Sequence, residues 1–181
     1  NMQIFLSPDD PLWKTYLTYN DAVKLHREEK YEEAETLYRD VIAQKEDLWE
    51  AHNNLGNTLH EQGRHDEALA AYGQAIVMQA DYALAHNNLG GTLKELGRLD
   101  EAVESYSRAI EFKNDFAEAY SNLGNTLQEI GRLDEAEKHY NRAIALKPDY
   151  AEAHLYLCEF LEKANRVDEL LAFVRTYCIK I

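Results

Sequence analysis

The sequence predicts an all-α fold built from a repeated pair of helices. Residues 53–75 read NNLGNTLHEQGRHDEALAAYGQA, and the same pattern returns 34 residues later and again 34 residues after that. A fixed period of this length is typical of repeat proteins, in which each unit packs mainly on its neighbours. Within each period the apolar residues recur at helical spacing, which favours helices throughout.

The first helix of each pair follows from its spacing. His52, Leu55, Gly56 and Leu59 occupy positions i, i+3, i+4 and i+7, which places them on one stripe of a helix. Gly63 follows that stripe, and glycine readily adopts the left-handed conformation that ends a helix. Equivalent breaks between paired helices are predicted near Glu29, Gly97, Gly131 and Asn165.

The second helix begins at an acidic pair. Asp66 and Glu67 place negative charge at a helix N-terminus, where the helix dipole favours it. Ala68 and Tyr72 then belong to a buried stripe. Gly56 and Ala68 are small, so the two helices of a pair can approach closely. Ten helices and no strand of consequence are predicted.

These residues resemble the tetratricopeptide repeat, a helix-turn-helix unit with a large residue, Leu-Gly, an aromatic residue or Leu, Ala, an aromatic residue, Ala and Pro at set positions. One unit matches at His52, Leu55, Gly56, Leu59, Ala68, Tyr72 and Ala75, and another at Tyr120, Leu123, Gly124, Leu127, Ala136, Tyr140, Ala143 and Pro148. The resemblance implies a right-handed superhelical solenoid of about ten helices. It also implies a concave groove, lined by the first helices, that holds an extended peptide.

The period divides the chain into five units after a short extension. Residues 1–10 carry four apolar side chains between Met2 and Leu6, which we expect to lie against another surface. In the first unit Asp21 stands where later units have leucine, as expected of a terminal repeat with one neighbour. The units are predicted at residues 11–48, 49–82, 83–116, 117–150 and 151–181.

The fifth unit departs from the pattern, since Cys158 replaces the glycine and Val174 the tyrosine. Its second helix is rich in apolar residues, although terminal repeats normally present a polar outer face. A contiguous apolar patch on a protein surface usually marks an interface. The sequence therefore predicts self-association through Phe173, Tyr177 and Ile181, with burial against a different partner or against further sequence as the alternatives.

The exposed face of each first helix is predicted to consist of the residues that lie outside its buried stripe. That face includes Asn53 and Ser121. Under the resemblance it lines the groove. The peptide-binding residues predicted there are Asn54, Asn57, Glu61, Asn88, Lys94, Glu95, Asn122, Asn125 and Glu129.

Asn54, Asn88 and Asn122 form a predicted ladder of amides. Each amide offers donors and an acceptor, so it can pair with the N–H and C=O groups of an extended peptide whatever the peptide's sequence. The ladder resembles that in the repeat arm of the enzyme that transfers N-acetylglucosamine to serine and threonine. A ladder that only reflects the general repeat pattern is the alternative. The family's clamp for chaperone carboxylates needs Lys and Arg beside such asparagines, and this chain lacks them there.

Composition narrows the choice of partner. The chain has 19 basic and 33 acidic residues and a formal net charge of −14. Such a surface repels phosphate backbones, so no nucleic acid partner is predicted. It favours basic or polar protein segments as partners, and an acidic surface that serves only solubility is the alternative. No run reaches the roughly 18 apolar residues of a membrane helix, so no membrane partner is predicted. Because the start also lacks a basic, apolar signal peptide, the predicted location is cytoplasmic.

No catalytic, cofactor or metal site is predicted. His52, His86 and His154 recur one or more full repeats apart, so they cannot converge on one ion, and packing is the expected role. His60 to His65 spells HExxxH, one residue too long for the zinc-binding pair of a metalloprotease helix. No Gly-rich phosphate loop or GxSxG motif occurs.

The function predicted from the sequence is a non-enzymatic protein–protein interaction scaffold that binds an extended peptide in the groove. The alternatives are the recognition arm of a larger enzyme, for example a glycosyltransferase, and a structural repeat protein that self-assembles.

Overall fold

A computed structural model describes residues 11–177, which form ten α-helices and no β-strand. The predicted all-α fold and helix count are thus confirmed. The predicted burial of residues 2–6 and the role of Ile181 lie outside the described residues. The helices are α1 (Pro11–Arg27), α2 (Tyr31–Gln44), α3 (Trp49–Glu61), α4 (His65–Met78), α5 (Ala83–Glu95), α6 (Leu99–Phe112), α7 (Ala117–Glu129), α8 (Leu133–Leu146), α9 (Ala151–Lys163) and α10 (Val167–Tyr177).

The turn within each pair contains one residue with left-handed backbone conformation. At the end of α3 the N–H of Gly63 donates to the carbonyl of His60 at 2.8 Å, and the N–H of Arg64 donates to the carbonyl of Leu59 at 2.9 Å. These two bonds satisfy carbonyls at the helix C-terminus. All five predicted break positions have positive φ: Glu29 (60°), Gly63 (73°), Gly97 (73°), Gly131 (82°) and Asn165 (55°).

Paired helices approach closely where a glycine faces a tyrosine ring. A β-carbon built on Gly56 would lie 2.5 Å from Cε1 of Tyr72, and one on Gly124 would lie 2.8 Å from Cδ1 of Tyr140. Both rings are buried, with at most 2% of their surface exposed. The predicted small residue in the first helix is therefore required by the tyrosine of the second.

Arginine and glutamate join at the start of the second helices. Arg64 donates through Nε and Nη2 to the two carboxylate oxygens of Glu67, at 2.7 and 2.6 Å. This bidentate geometry makes a strong charge-assisted contact. Glu67 is thus held by an arginine side chain, in addition to the predicted effect of the helix dipole. The same pairing occurs at Arg98–Glu101, Arg132–Glu135 and Arg166–Glu169.

The chain also divides into two larger compact units, which are distinct from the five predicted repeats. They are Asn1–Thr92, called unit 1, and Leu93–Ile181, called unit 2. In unit 1, α2 packs against α1 and α3, α3 packs against α4, and α1 also contacts α3. The core of unit 1 combines small and large buried side chains, including Ala22, Ala34, Leu55, Leu59 and Tyr72. First helices therefore lie beside each other, as a repeat stack requires.

Unit 2 is built in the same way. Helix α7 packs against α6 and α8, α9 packs against α8 and α10, and α7 also contacts α9. Leu123, Leu127, Tyr140 and Phe160 are buried in its interior, and the rings of Tyr140 and Phe160 lie 6.4 Å apart.

Candidate functional site

The predicted groove asparagines of unit 1 are half-buried and already hydrogen-bonded. Asn54 on α3 donates from Nδ2 to the hydroxyl of Tyr19 on α1 at 2.8 Å. The neighbouring Asn53 donates to Oδ1 of Asn54 at 3.3 Å. Asn54 therefore joins α1 and α3.

The chain of amides continues to the next helices. Asn88 on α5 donates to Oδ1 of Asn53 at 3.1 Å and to Oδ1 of Asn57 at 2.9 Å. The hydroxyl of Tyr72 on α4 donates to the same Asn57 oxygen at 2.8 Å. Part of the hydrogen-bonding capacity of this face thus holds α3, α4 and α5 together. The tyrosine of the buried stripe was the missed signal, because its ring passes between helices and its hydroxyl reaches the asparagine face.

Two residues expected on the exposed face are instead buried. Asn53 and Ser121 are each 0% exposed, so the prediction that they face solvent is wrong. At Asn53 the amide of Asn88, on the next first helix, packs over the side chain. Ser121 lies on α7, which contacts the following first helix, α9. The exposed face of a first helix is therefore narrower than predicted, because some residues outside the buried stripe are covered by the next first helix.

A cavity of ≈ 410 Å³ opens beside Asn54 and Asn57 in unit 1. Among the described residues, its lining holds one cationic group, Arg27, and no carboxylate. Amide, phenol, imidazole and guanidinium groups dominate the wall, so both hydrogen-bond donors and acceptors face the space. The lining residues are Tyr19, Asn20, Val23, His26, Arg27, Tyr38, Asn54 and Asn57.

The phenol and imidazole groups of this cavity remain uncharged at neutral pH. Burial raises the pKa of Tyr19 and of Tyr38, so both phenols keep their protons. Burial lowers the pKa of His26, and the carboxylate of Glu61 opposes this effect. The Thr58 hydroxyl donates to the carbonyl of Asn54 at 2.8 Å and lies 3.0 Å from Nδ1 of His26. Because the Thr58 proton is engaged, Nδ1 of His26 is the donor in their contact.

In unit 2 three predicted residues come together. Lys94 at the end of α5 donates to Oδ1 of Asn125 and pairs with the carboxylate of Glu129 at 2.9 Å. Asn125 also hydrogen-bonds the hydroxyl of Tyr140, which in turn donates to Oε1 of Gln128 at 3.1 Å. Asn122 is half-buried on the same helix. The ammonium group of α5 thus meets an amide and a carboxylate of α7.

The two remaining predicted carboxylates are exposed at the ends of first helices. Burial raises the pKa of Tyr31, and the carboxylate of Glu61, at the end of α3, adds to this rise. The same carboxylate opposes the fall in the pKa of His26 that burial causes. Glu95, at the end of α5, adds to the rise in the pKa of Tyr106 that burial causes. Neither side chain lines the ≈ 410 Å³ cavity.

The recurring histidines have a structural role. Nε2 of His52 lies 3.1 Å from the carbonyl of Glu46, and His86 and His154 make the same contact with Ala80 and Pro148, at 2.9 and 2.8 Å. Each histidine therefore ties a first helix to the turn six residues before it. Packing was the predicted role, and this hydrogen bond adds a second reason for histidine at that position.

The terminal aromatic residues lie against their own repeat. The rings of Phe173 and Tyr177 on α10 lie 5.4 and 5.0 Å from the ring of His154 on α9. They lie 4.8 Å from each other. No residue of α10 is fully buried, and Tyr177 is 46% exposed. Ile181, the third residue of the predicted self-association surface, is outside the described range.

No helix within residues 11–177 combines the length and apolar character needed to cross a membrane.

Sequence models of the tetratricopeptide repeat match the chain at residues 56–97 and 91–131 ("TPR repeat") and at residues 117–150 ("Tetratricopeptide repeat"). Together the matches span residues 56–150, more than half of the chain. The chain belongs to the tetratricopeptide repeat family, as its residue pattern predicted. No curated protein matches it.

Solved structures of other repeat proteins resemble this fold. PilF of Pseudomonas aeruginosa has a TM-score of 0.83 at 17% identity, over 91% of this chain and 75% of its own. MamA of Desulfovibrio magneticus RS-1, from residue 41 to its end, has a TM-score of 0.80 at 16% identity, over 91% and 93%. YrrB, described as a TPR protein with an unusual peptide-binding site, has a TM-score of 0.69 at 21% identity, over 87% and 81%. The TM-scores show a shared fold, and family membership supports a role in protein–protein interaction.

Proposed function

We propose that the chain is a protein–protein interaction scaffold that binds an extended peptide segment of a partner along the asparagine-bearing faces of its first helices. The main support for this proposal is the ≈ 410 Å³ cavity of unit 1. It opens beside two of the predicted peptide-binding residues, Asn54 and Asn57, and its wall presents donors and acceptors together. An extended peptide needs both, because its N–H and C=O groups alternate along the chain.

The chemistry of the wall favours recognition of a peptide backbone. Each asparagine amide has two N–H donors and a carbonyl oxygen with two lone pairs. The internal bonds of Asn54 and Asn57 engage only some of these, which leaves capacity for a ligand. The bonds already formed fix the amides in place, and fixed groups lose less entropy on binding. The peptide-binding site described for YrrB is consistent with this use of the fold.

Two further roles are compatible with this fold. As the recognition arm of a larger enzyme, such as a glycosyltransferase, the chain would deliver a peptide to a catalytic domain, with unchanged chemistry in the cavity. Self-association is the other candidate, and the exposure of Val167 (53%), Leu171 (49%) and Tyr177 (46%) on α10 favours it. Apolar side chains grouped on one exposed helix are a common feature of interfaces.

Selection of random peptides on the intact chain, followed by fluorescence polarisation with each selected peptide, tests the proposal. Asn20 and Arg27 are exposed lining residues, so Asn20→Ala and Arg27→Ala should leave the fold intact. Each is expected to weaken binding about tenfold, which corresponds to about 1.4 kcal/mol. Asn54→Ala and Asn88→Ala are poorer choices, because these side chains also hold helices together.

The matched control is Asn141→Ala, an exposed asparagine on α8 in unit 2, which should not change affinity. N-methylation of alternate peptide bonds in the ligand should abolish binding if the backbone is recognised. Peptides that bind Asn20→Ala and Arg27→Ala as tightly as the unmodified chain, and that tolerate N-methylation, would contradict the proposal.

A further inference from the structure

We propose that unit 1 contains a second subsite, which takes the cationic side chain of a lysine or arginine residue. The subsite is a cavity of ≈ 330 Å³ between α1 and the start of α3. The proposal rests on the proposed function for the source of that side chain, a peptide partner. The lining residues are Leu12, Thr15, Tyr16, Tyr19, Lys45, Leu48 and Glu50.

The central group of this subsite is the carboxylate of Glu50. Its Oε2 atom is shielded from solvent and has no hydrogen-bond partner within residues 11–177. A carboxylate oxygen in this condition has lost its water without gaining a donor, which is unfavourable. An ammonium or guanidinium group that enters the cavity supplies both a donor and the opposite charge.

The remaining wall suits the body of such a side chain. Leu12, Leu48 and the rings of Tyr16 and Tyr19 give a largely apolar surface against which the methylene groups of lysine or arginine can pack. Tyrosine faces also attract cations directly. Leu12 and Tyr16 are 49% and 51% exposed, so they form a rim that an incoming side chain can cover.

The charges around the cavity favour a cation. Glu50 adds to the rise in the pKa of Tyr19 and to the rise in the pKa of Tyr82 to about 12, both of which burial causes in the first place. Its negative charge therefore acts on the neighbouring rings. Lys45 is the cationic residue of the lining, and it pairs with Asp47 at 3.1 Å. The net charge of −14 draws cations toward the whole surface.

The subsite adjoins the proposed peptide face. Tyr19 lines this cavity and the ≈ 410 Å³ cavity that contains Asn54. A peptide held by its backbone beside Asn54 can therefore place a neighbouring side chain against Glu50. Backbone contacts at one cavity give affinity for any sequence, and the carboxylate at the other selects a basic residue.

Nuclear magnetic resonance titration of the intact chain tests the subsite. The ligands are Nα-acetyl-lysine methylamide and its uncharged counterpart, Nα-acetyl-norleucine methylamide. We expect the lysine compound to shift the ring resonances of Tyr16 and Tyr19 and to bind at least fivefold more tightly. Glu50→Gln keeps the shape of the side chain and should remove this preference. Glu104→Gln, an equal change of charge on the exposed face of α6, should retain it.

Tyr16→Ala provides a second variant, since Tyr16 is half-exposed and its loss should weaken lysine binding severalfold without unfolding the chain. Equal binding of the two compounds, or an unchanged preference in Glu50→Gln, would overturn the proposal. Nuclear Overhauser contacts from residues 2–6 to Leu12 or Tyr16 in the ligand-free chain would also overturn it, because the chain's own segment would then be the occupant. Single amino-acid amides are used, so the subsite can succeed or fail independently of peptide binding.

Discussion

Single side chains set the distance between the helices of a pair. A β-carbon at Gly56 would lie 2.5 Å from the ring of Tyr72, whereas a β-carbon at Gly73, on the next helix, would meet no atom within 4 Å. Both glycines lie within helices, so they share the same backbone cost relative to alanine. They differ only in the space beside them.

Gly56→Ala is therefore expected to destabilise the chain by about 1–3 kcal/mol through overpacking against Tyr72. Gly73→Ala is expected to stabilise it by about 0.5–1 kcal/mol, because alanine is the better helix former and nothing obstructs it. Urea unfolding followed by circular dichroism measures both changes. A stabilising Gly56→Ala would mean that the Tyr72 ring moves aside at little cost.

Glu29 shows the opposite situation, a side chain at a position that favours glycine. Its φ of 60° matches that of the three glycines at the equivalent turns, and left-handed backbone costs a residue with a β-carbon about 1–2 kcal/mol. Glu29→Gly should therefore raise the free energy of unfolding by about 1 kcal/mol. Gly97→Ala should lower it by a similar amount, for the same reason. Thermal unfolding of the two variants checks the pair, and a destabilising Glu29→Gly would contradict the explanation.

The turns at Gly63, Gly97 and Gly131 could be predicted from the sequence because glycine favours the left-handed backbone conformation found there. The burial of Asn53 could not be predicted in this way. It depends on Asn88, 35 residues away, whose position follows from how repeats pack on each other. The surroundings of Glu50 could not be predicted either, because the tyrosines that line its cavity belong to α1.

Among the helices, the side chain of Arg64 connects two neighbouring repeats. Besides Glu67 it donates to Glu35 on α2 at 2.6 Å, and Glu35 also accepts from Arg39 and Gln62. Burial tends to raise the pKa of the Glu35 carboxyl, but these three hydrogen bonds outweigh it and lower the pKa below its usual value. The stability of repeat proteins depends on such contacts between neighbouring repeats.

Because the pKa of Glu35 is lowered in the folded state, its contribution to stability depends on pH. Glu35 stabilises the fold fully above its unfolded-state pKa, about 4.3, and the contribution is lost as the pH falls through the lower folded-state pKa. Arg64→Met should therefore reduce stability at pH 7 and flatten its decline in acid. Arg108→Met, which removes a more exposed pair with Glu111, should change stability by less than about 0.5 kcal/mol. Urea midpoints across this pH range give the comparison, and parallel pH profiles for Arg64→Met and the unmodified chain would refute the role of Glu35.

At the scale of the whole molecule, the apolar surface of α10 predicts self-association. Phe173 and Tyr177 contact His154, so replacing them would also disturb α10 itself. Leu171 is 49% exposed and gives a cleaner test. Leu171→Glu should shift an oligomer to monomer, whereas Val77→Glu, at an exposed position on α4, should not. Sedimentation velocity at rising concentration measures this, and an unmodified chain that remains monomeric would disprove it.

The repeat architecture could be predicted because the same pattern occurs several times, so that a segment with a weak pattern can be interpreted from the equivalent segments of the other repeats. The 34-residue period fixes every helix pair, and a deviation in one unit does not alter the rest. Partner chemistry has no such redundancy. No other repeat has arginine at the position of Arg27 or lysine at the position of Lys94. Glu50 recurs as Glu118 and Glu152, but the side chains around it do not recur, so its role becomes visible only through its surroundings.

The distribution of aromatic residues gives the chain two separate optical signals. Both tryptophans, Trp13 and Trp49, belong to unit 1 and contact Tyr16 and Tyr82 there. Buried tyrosines occur in both units. Selective excitation of tryptophan therefore reports on unit 1 alone, while near-ultraviolet circular dichroism reports on both. Comparing the two signals during unfolding reveals, without any label, whether the units lose structure together or in sequence.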